Sequence, residues 1–374
     1  MPPIRLIAID MDGTLLGEDG HVSPRTLAAL HAAHRAGIEI VVATGRRHAY
    51  AMRILRPLGL HHALALISSN GTVTRTLGSV TEPTQLLART HLPHVTALWL
   101  CAHIEEFRNA LVLTFDRVVP DGPNQGEDTR GALVVEHLDQ LHASIGRWME
   151  VNEPYIAHIV PIESALTPAA LDTPIQAMLC GTIDRMAHAE ARLLQHPGVA
   201  ASGHPSGRSG ATPSNMSGAP GLDSEIWESR LESPGAPSFP APSERVGSNT
   251  SAAPTELLTL HRTEYPLRNL SILDILPPNC SKGAAILTLA QTRGIDPSQI
   301  MAIGDNWNDV SMLEIAGSAV LMANAPPDLK LYAASLGWRI GLSNRADGVA
   351  EAIESALADD TEQSSMVSIA GDPR

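Results

Sequence analysis

Short, wholly apolar runs alternate with stretches of helical periodicity at both ends of the chain. Leu6–Ile9, Ile38–Ala43 and Ala63–Ile67 are apolar or nearly so throughout, the pattern of strands buried on both faces. Between the first two, the spacing predicts a helix over Pro24–Ala36. Ser23 is placed to cap it, Pro24 opens it with the right φ, and Gly37 stands just past its end. A second helix is predicted over Arg47–Pro57. Strand, helix, strand, helix, strand on short links predicts a parallel, doubly wound α/β sheet. The same rhythm returns late in the chain. A helix over Ser281–Thr292 stops before Gly294, followed by a strand over Gln299–Ile303, a helix over Asp309–Ala316, a strand over Ala319–Met322 and an amphipathic helix over Gly348–Ala358.

The middle of the chain has a different rhythm, with strand signals at Ala110–Phe115 and Ile156–Ile162 and a helix signal at Ile183–Leu194. An inserted domain explains this change. The expected division places residues 1–74 and 271–358 in one core domain and residues 75–270 in an inserted one. Residues 359–374 are short of core-forming side chains and are expected to be a flexible tail. Within the insertion, Gly, Pro and Ser make up half of Gly203–Pro254, too little apolar material to offset the entropy of ordering. That stretch is expected to be disordered, with at most a short helix at Leu222–Glu232.

At 374 residues and 44% hydrophobic content the chain can build a large core, and with only 3% aromatics Ala, Leu, Val and Ile must fill it. The net charge of −14 argues against a nucleic-acid partner, because neutralising a phosphate backbone needs a basic face. It leaves room for a small phosphorylated partner, since a few local cations override a diffuse acidic field. Cys101, Cys180 and Cys280 are widely spaced with no CxxC pairing, which reads as reduced thiols in a cytoplasmic protein. No apolar run approaches the roughly 18 residues of a membrane span. Sixteen histidines, among them His61, His62, His91, His94 and His103, show no ligand spacing joined to a carboxylate motif. Oligomeric state leaves no mark on the sequence.

The chemistry gathers at the ends of the predicted strands. In an open parallel sheet, ligands bind beyond the carboxyl ends of the strands. Asp10 and Asp12 follow the first strand in AIDMDGT, Thr44-Gly45-Arg46 the second, Ser69-Asn70-Gly71 the third, and Asp305 the strand of MAIGDNWNDV. Lys282 opens its helix in NCSKGAAI. Oxygen donors without a Cys or His cluster suit Mg²⁺, which takes one or two carboxylates and shares the rest with water and a substrate phosphate. Asp10 and Asp305 can supply those carboxylates. A remaining aspartate is free for nucleophilic or acid/base work. Thr44, the Gly45 amide and Lys282 are natural partners of phosphate oxygens.

The order DMDGT, ATGR, SKG, GDNWND resembles the haloacid dehalogenase superfamily, and its spacing and flanks resemble the Cof-type subfamily with a large mixed cap. SNGT at Ser69–Thr72, LMANAP at Leu321–Pro326 and SNRADGVA at Ser343–Ala350 have counterparts there. The resemblance implies a three-layer, Rossmann-like parallel-sheet core with an inserted α+β cap. It also implies a Mg²⁺-dependent phosphatase of small phosphorylated metabolites, with sugar phosphates as the default class. By that resemblance Asp10 is the nucleophile that becomes an aspartyl-phosphate, and Asp12 protonates the leaving group and then activates water. Asp10, Asp305 and Asp12, the last through its main-chain carbonyl, would hold the metal. Thr44, Gly45, Lys282 and Asn308 would bind phosphate, Asp309 would orient Lys282, and Arg46 and Asn70 are candidates to touch substrate. Two alternatives stand beside this reading: a phosphomutase with a related cap, and a binding module that kept the fold without turnover.

Overall fold

The structure is a computed structural model and describes residues 2–17, 19–60, 64–77, 84–119, 126–166, 173–201, 256–265 and 268–370. Gly203–Pro254, with Leu222–Glu232 inside it, and the pair His61 and His62 lie outside the described residues.

Two mixed sheets organise the chain. The first has eight strands in the order β15-β14-β13-β1-β2-β3-β4-β5. They are β1 (Leu6–Asp10), β2 (Glu39–Ala43), β3 (Leu64–Ser68), β4 (Val73–Thr76), β5 (Leu86–Arg89), β13 (Ile300–Gly304), β14 (Ser318–Leu321) and β15 (Arg339–Ile340). From β15 to β3 every neighbouring pair is parallel, and β4 and β5 join antiparallel. The apolar runs read as buried strands are these strands: all five residues of β1, β3 and β13 are buried.

Helices cover both faces of this sheet. On one side, α1 (Pro24–Arg35), α2 (His48–Leu55) and α9 (Gly348–Ala370) pack on Ile7, Ile9, Ile40, Val42 and Ile303. On the other, α6 (Lys282–Thr292), α7 (Val310–Ile315) and α8 (Pro327–Leu336) pack on Leu6, Ala8, Val41 and Ala302. Alternate residues of β1 thus serve opposite layers, as the pleat requires. In α1 the Ser23 hydroxyl accepts from the Thr26 amide at 3.0 Å, and Thr26, Ala29, Leu30 and Ala33 form the buried stripe. Burying Leu30 alone contributes about 1.5–3 kcal/mol. The last helix runs on to Ala370, so the expected flexible tail is helical well past Ala358.

The second sheet has seven strands in the order β10-β11-β12-β9-β6-β7-β8. They are β6 (Leu111–Thr114), β7 (Leu133–Val135), β8 (Ile156–His158), β9 (Gln176–Gly181), β10 (Val199–Ala201), β11 (Leu258–Tyr265) and β12 (Leu270–Leu276). On one face Leu111, Leu113, Ala177, Leu179, Leu273 and Ile275 meet α3 (His94–His103) and α5 (Ile183–Leu193). On the other, Val112, Met178, Cys180 and Ile272 pack with α4 (Leu138–Asn152). Sheet membership departs from the expected boundaries at both joints. β4 and β5 carry the first sheet on to Arg89, past residue 74, and β12 belongs to the second sheet although it was expected to open the core's second segment. The reason is pairing: Val73 and Thr76 find partners on β3, and Ser271–Ile275 pair with β9.

Arginines on the first sheet and its helix α2 meet carboxylates of the insertion along a seam. Arg75 binds Asp116 through both guanidinium nitrogens at 2.9 and 2.6 Å, and Arg89 adds a bond to the same carboxylate at 3.1 Å. Arg47 donates to Asp128 and to the Asn152 side-chain oxygen, while Arg53 pairs with Glu127 at 3.0 Å and donates to the Tyr155 hydroxyl. His48 lies buried beside this seam, and burial pushes its imidazole down to about 3, so it is neutral.

Candidate active site

The strand β1 delivers Asp10 to the carboxyl edge of the first sheet, where it is 4% exposed. Lys282, the first residue of α6, is fully buried beside it. A charged lysine in such a place needs anionic partners, and it has two. Its Nζ donates to Asp10 Oδ1 at 2.6 Å and to Asp309 Oδ1 at 2.6 Å. The side chain starts from a helix pinned by Ser281, whose hydroxyl accepts from the Ala284 amide at 3.1 Å. Asp309 is itself held from behind, since its Oδ2 accepts the amides of Asp305 and Asn306, each at 3.0 Å. The acidic turn after β13 therefore closes on the lysine through one carboxylate.

Asp305 stands next to this group. Its Oδ1 accepts from the Thr14 hydroxyl at 2.8 Å, and its Oδ2 from the Asn324 amide at 3.2 Å. Three carboxylates thus cluster beside one lysine that bonds two of them. Burial, and then the neighbouring Asp309, push the Asp305 carboxyl up to about 7. Burial and Asp309 likewise hold Asp10 well above its ordinary value, against the pull of Lys282. For Lys282, burial alone would lower the value, but Asp10 and Asp309 together raise it, so the ammonium form is secure.

Asp12 points elsewhere. Its carboxylate is clasped by Arg46, with Nε on Oδ2 at 2.6 Å and Nη2 on Oδ1, and the guanidinium lies 4.1 Å over the Tyr50 ring. A bidentate pair of this kind fixes both partners in orientation. Thr44 is buried, and its hydroxyl accepts from the Arg46 amide at 3.1 Å, which shapes the turn through Gly45. Asn308 sits half-buried on the turn Trp307–Asp309, and its amide makes no hydrogen bond among the described residues. Asn70 is buried, with its Nδ2 donating at 2.9 Å to Asp274 of the second sheet. Trp307 packs away from the rim, donating to Asp328 at 3.2 Å and tilting against Tyr332 at 5.7 Å.

The donor set fits a hard divalent cation. One carboxylate oxygen each from Asp10, Asp305 and Asp309 lies within 4.8 Å of the others. Asp309 has both oxygens committed, one to Lys282 and one to two amides, so Asp10 and Asp305 are the residues able to hold the ion. The Asp12 carboxylate is not in this cluster, so Asp12 could serve the ion only through its main chain, the role the sequence reading gave it.

Two participants escaped the sequence reading. Asn324 lies just past β14 and ties the acidic turn to the first one, donating to the Gly13 carbonyl at 2.8 Å as well as to Asp305. The strand-end rule that singled out Asp305 applies equally to Asn324, one strand over. Asp274 lies inside a strand and has no motif of its own to flag it.

A parallel sheet with helices on both faces, an inserted second sheet and a rim of carboxylates beside one buried lysine make a two-part α/β architecture with its polar site at the carboxyl edge of the first sheet. A sequence profile described as haloacid dehalogenase-like hydrolase matches residues 7–128 and 262–353, more than half of the chain. The chain belongs to that family. It is 26% identical over 357 residues to the phosphatase YwpJ of Bacillus subtilis, covering 95% of this chain and 100% of that protein. It is 25% identical over 356 residues to a protein of Arabidopsis thaliana named chloroplastic endoribonuclease YBEY; the match takes in 94% of this chain but spans only 46% of that longer protein. Among solved structures, a haloacid dehalogenase-like hydrolase from B. subtilis superposes with a TM-score of 0.61 at 22% identity, covering 94% of this chain and 99% of that one. No helix among the described residues is long and apolar enough to cross a membrane.

Proposed function

We propose that this protein is a Mg²⁺-dependent phosphatase of small phosphorylated metabolites, working through a phosphoryl group carried on Asp10. The observation that carries the reading is the contact of Lys282 Nζ with Asp10 Oδ1 at 2.6 Å inside a cluster short of positive charge. Sharing in the family and full-length similarity to a protein named phosphatase support it.

A carboxylate oxygen of Asp10 attacks phosphorus, and the bond from phosphorus to the ester oxygen breaks. With Arg46 turned from Asp12 to the substrate, Asp12 is free to carry a proton, and it gives that proton to the departing alkoxide. The phosphoryl group now sits on Asp10 as a mixed anhydride. Asp12, left as the carboxylate, takes a proton from water as that water attacks phosphorus. The Asp10–phosphorus bond breaks, inorganic phosphate leaves, and both aspartates return to their starting forms. Lys282 holds Asp10 in place and offers positive charge to the transferring group, with Asp309 fixing the lysine. Asp10 and Asp305 would hold the divalent cation, which would supply further neutralisation of charge on the phosphoryl oxygens. Thr44, the Gly45 amide and Asn308 are the phosphate contacts in this reading, and Arg46 meets either Asp12 or substrate. Sugar phosphates are the first substrate class to test.

The purified chain is assayed for phosphate release from a panel of phosphorylated metabolites, with and without Mg²⁺. Asp10→Asn is expected to lower turnover by roughly 10⁴-fold or more, with circular dichroism unchanged. Metal-dependent hydrolysis that survives this substitution would remove Asp10 as the nucleophile. Absence of metal-dependent release across the whole panel would remove the phosphatase reading itself.

A further inference from the structure

The second sheet reaches into the site through one buried hydrogen bond. Asp274 lies on β12 directly across from His261 on β11, on the face of the second sheet opposite α3 and α5. Both are buried, and Asp274 makes no ion pair with an arginine or lysine among the described residues. Its one side-chain hydrogen bond among the described residues is to Asn70, at 2.9 Å across 204 residues of sequence. A lone buried carboxylate weakens a fold, so its place here calls for a purpose at the other end of the bond.

That other end is a strained loop. Ser69 and Asn70 have φ of 50° and 55°, left-handed values rare for residues with a side chain, and Gly71 follows at 104°. The loop is wedged between the two segments read as phosphate partners. Towards the first, the Asn70 amide donates to the Thr44 carbonyl at 3.0 Å and the Ser69 amide to the Arg46 carbonyl at 2.9 Å. Asn70 Oδ1, buried and without a hydrogen-bond partner among the described residues, fills the space beside Gly45, 3.0 Å from where a Cβ there would stand. Towards the second, Gly71 presses on the Ser281 carbonyl, only 2.3 Å from where its own Cβ would stand, at the base of the Lys282 helix. Any tilt of the Asn70 side chain is therefore felt at both segments.

We infer that Asp274 is a positioning residue for the phosphoryl pocket: through Asn70 it sets the Ser69–Gly71 loop, and so couples the inserted sheet to Thr44–Arg46 and Lys282. The consequence rests on the phosphatase reading above, while the coupling itself is a property of the fold. Burial pushes the Asp274 carboxyl up to about 7, against the Asn70 bond and Lys282, in keeping with a side chain held for placement rather than for stability. Removing the acceptor frees the Asn70 amide, and a loop shifted by a fraction of an ångström misaligns the attack on phosphorus.

The test uses the full chain with Mg²⁺ and p-nitrophenyl phosphate, comparing wild type with Asp274→Leu, Asp274→Asn, Asn70→Ala and the double variant Asp274→Leu/Asn70→Ala. Leucine keeps the branching of the side chain and removes the buried charge but leaves the Asn70 Nδ2 unpaired, so the opposing effects are expected to change the melting temperature little. Its kcat is expected to fall roughly 10- to 100-fold, with KM moving less than about threefold. Asparagine keeps an acceptor oxygen for Asn70 and is expected to recover kcat to within about threefold of wild type. The double variant is expected to be no slower than Asn70→Ala, because Asp274 acts through Asn70. Asp274→Leu with kcat within about twofold of wild type, or losses that multiply in the double variant, overturns the inference. If wild type releases no phosphate, the functional reading falls and the coupling is read by amide hydrogen exchange instead. Faster exchange in peptides covering 44–47 and 67–73 of Asp274→Leu supports it, and unchanged exchange there overturns it.

Discussion

Two charge clusters among the described residues, one at the seam and one at the rim of the first sheet, are built on opposite balances. At the seam, Arg47, Arg53, Arg75 and Arg89 meet Asp116, Glu127 and Asp128, so cations match or exceed anions. At the rim of the first sheet, three carboxylates, Asp10, Asp305 and Asp309, cluster beside Lys282, which pairs with Asp10 and Asp309. Their ionisation follows the balance. Burial would raise Asp116, but Arg75 and Arg89 pull it below its usual value, whereas Asp305 is pushed up to about 7. Asp128 falls between them: burial, with Asp116 and Glu127 nearby, pushes it up to about 6 against the pull of Arg47 and Arg53. A cluster that neutralises itself serves to hold two parts together. One left short of positive charge is prepared to receive it from a cation.

The largest effect that separates the clusters is expected from Lys282→Met. It leaves the rim carboxylates without their one cation, lowering kcat roughly 10²- to 10³-fold and unfolding free energy by about 3–5 kcal/mol. Steady-state kinetics and urea melts read both, and a variant with near-normal kcat would mean that the rim does not need its lysine. Arg75→Met is the matching change at the seam. Its unfolding free energy is expected to fall by a similar 3–5 kcal/mol, about as much as breaking any buried pair, while kcat per folded molecule stays within about threefold. A seam variant that loses turnover without losing stability would erase the distinction between the clusters.

The third effect depends on pH. Asp305 in the folded protein has its value raised to about 7, so it holds a proton below that and must release it to bind a cation. Stabilisation by Mg²⁺, measured as the rise in melting temperature over the chelated protein, is therefore expected to grow from about pH 6 to about pH 8. A rise that is equal at both ends of the window would remove Asp305 from the ligand set. The smallest effect is expected from Asn324→Ala, which takes one donor from Asp305 and one from the Gly13 carbonyl. Loss of such a supporting contact is expected to weaken Mg²⁺ affinity roughly 10-fold, by calorimetric titration, and to cost about 1 kcal/mol of stability. Unaltered metal affinity would make Asn324 a turn residue only.

Much of the fold was legible because its signals are local. The run at Leu6–Ile9 became β1 with every residue buried, and Ser23-Pro24 capped α1 where expected. The helix opened by Lys282 and the strand that ends at Gly304 fell within a residue or two of their predicted limits. The joints were less legible. Whether Val73–Thr76 continues the first sheet, or Leu270–Leu276 closes the second, depends on which edge is free when the chain returns, and no local pattern records that. Two imidazoles buried among the described residues, His48 and His261, were invisible for the same reason: a lone histidine looks alike on a surface and in a core.

Sequence by itself determined the alternation of strands and helices, and it set the acidic pair, Thr44, Lys282 and the late acidic turn at element ends. Periodicity, capping and turn chemistry act over a few residues, so they can be read from neighbours. Only the tertiary structure decided who partners whom: Asp309 rather than solvent for Lys282, Arg46 for Asp12, Asp274 for Asn70, Asp116 for Arg75. Those pairs span between 27 and 204 residues. They form because packing of the layers brings distant element ends to one place, where a buried charge must find a partner or give up its ionised form.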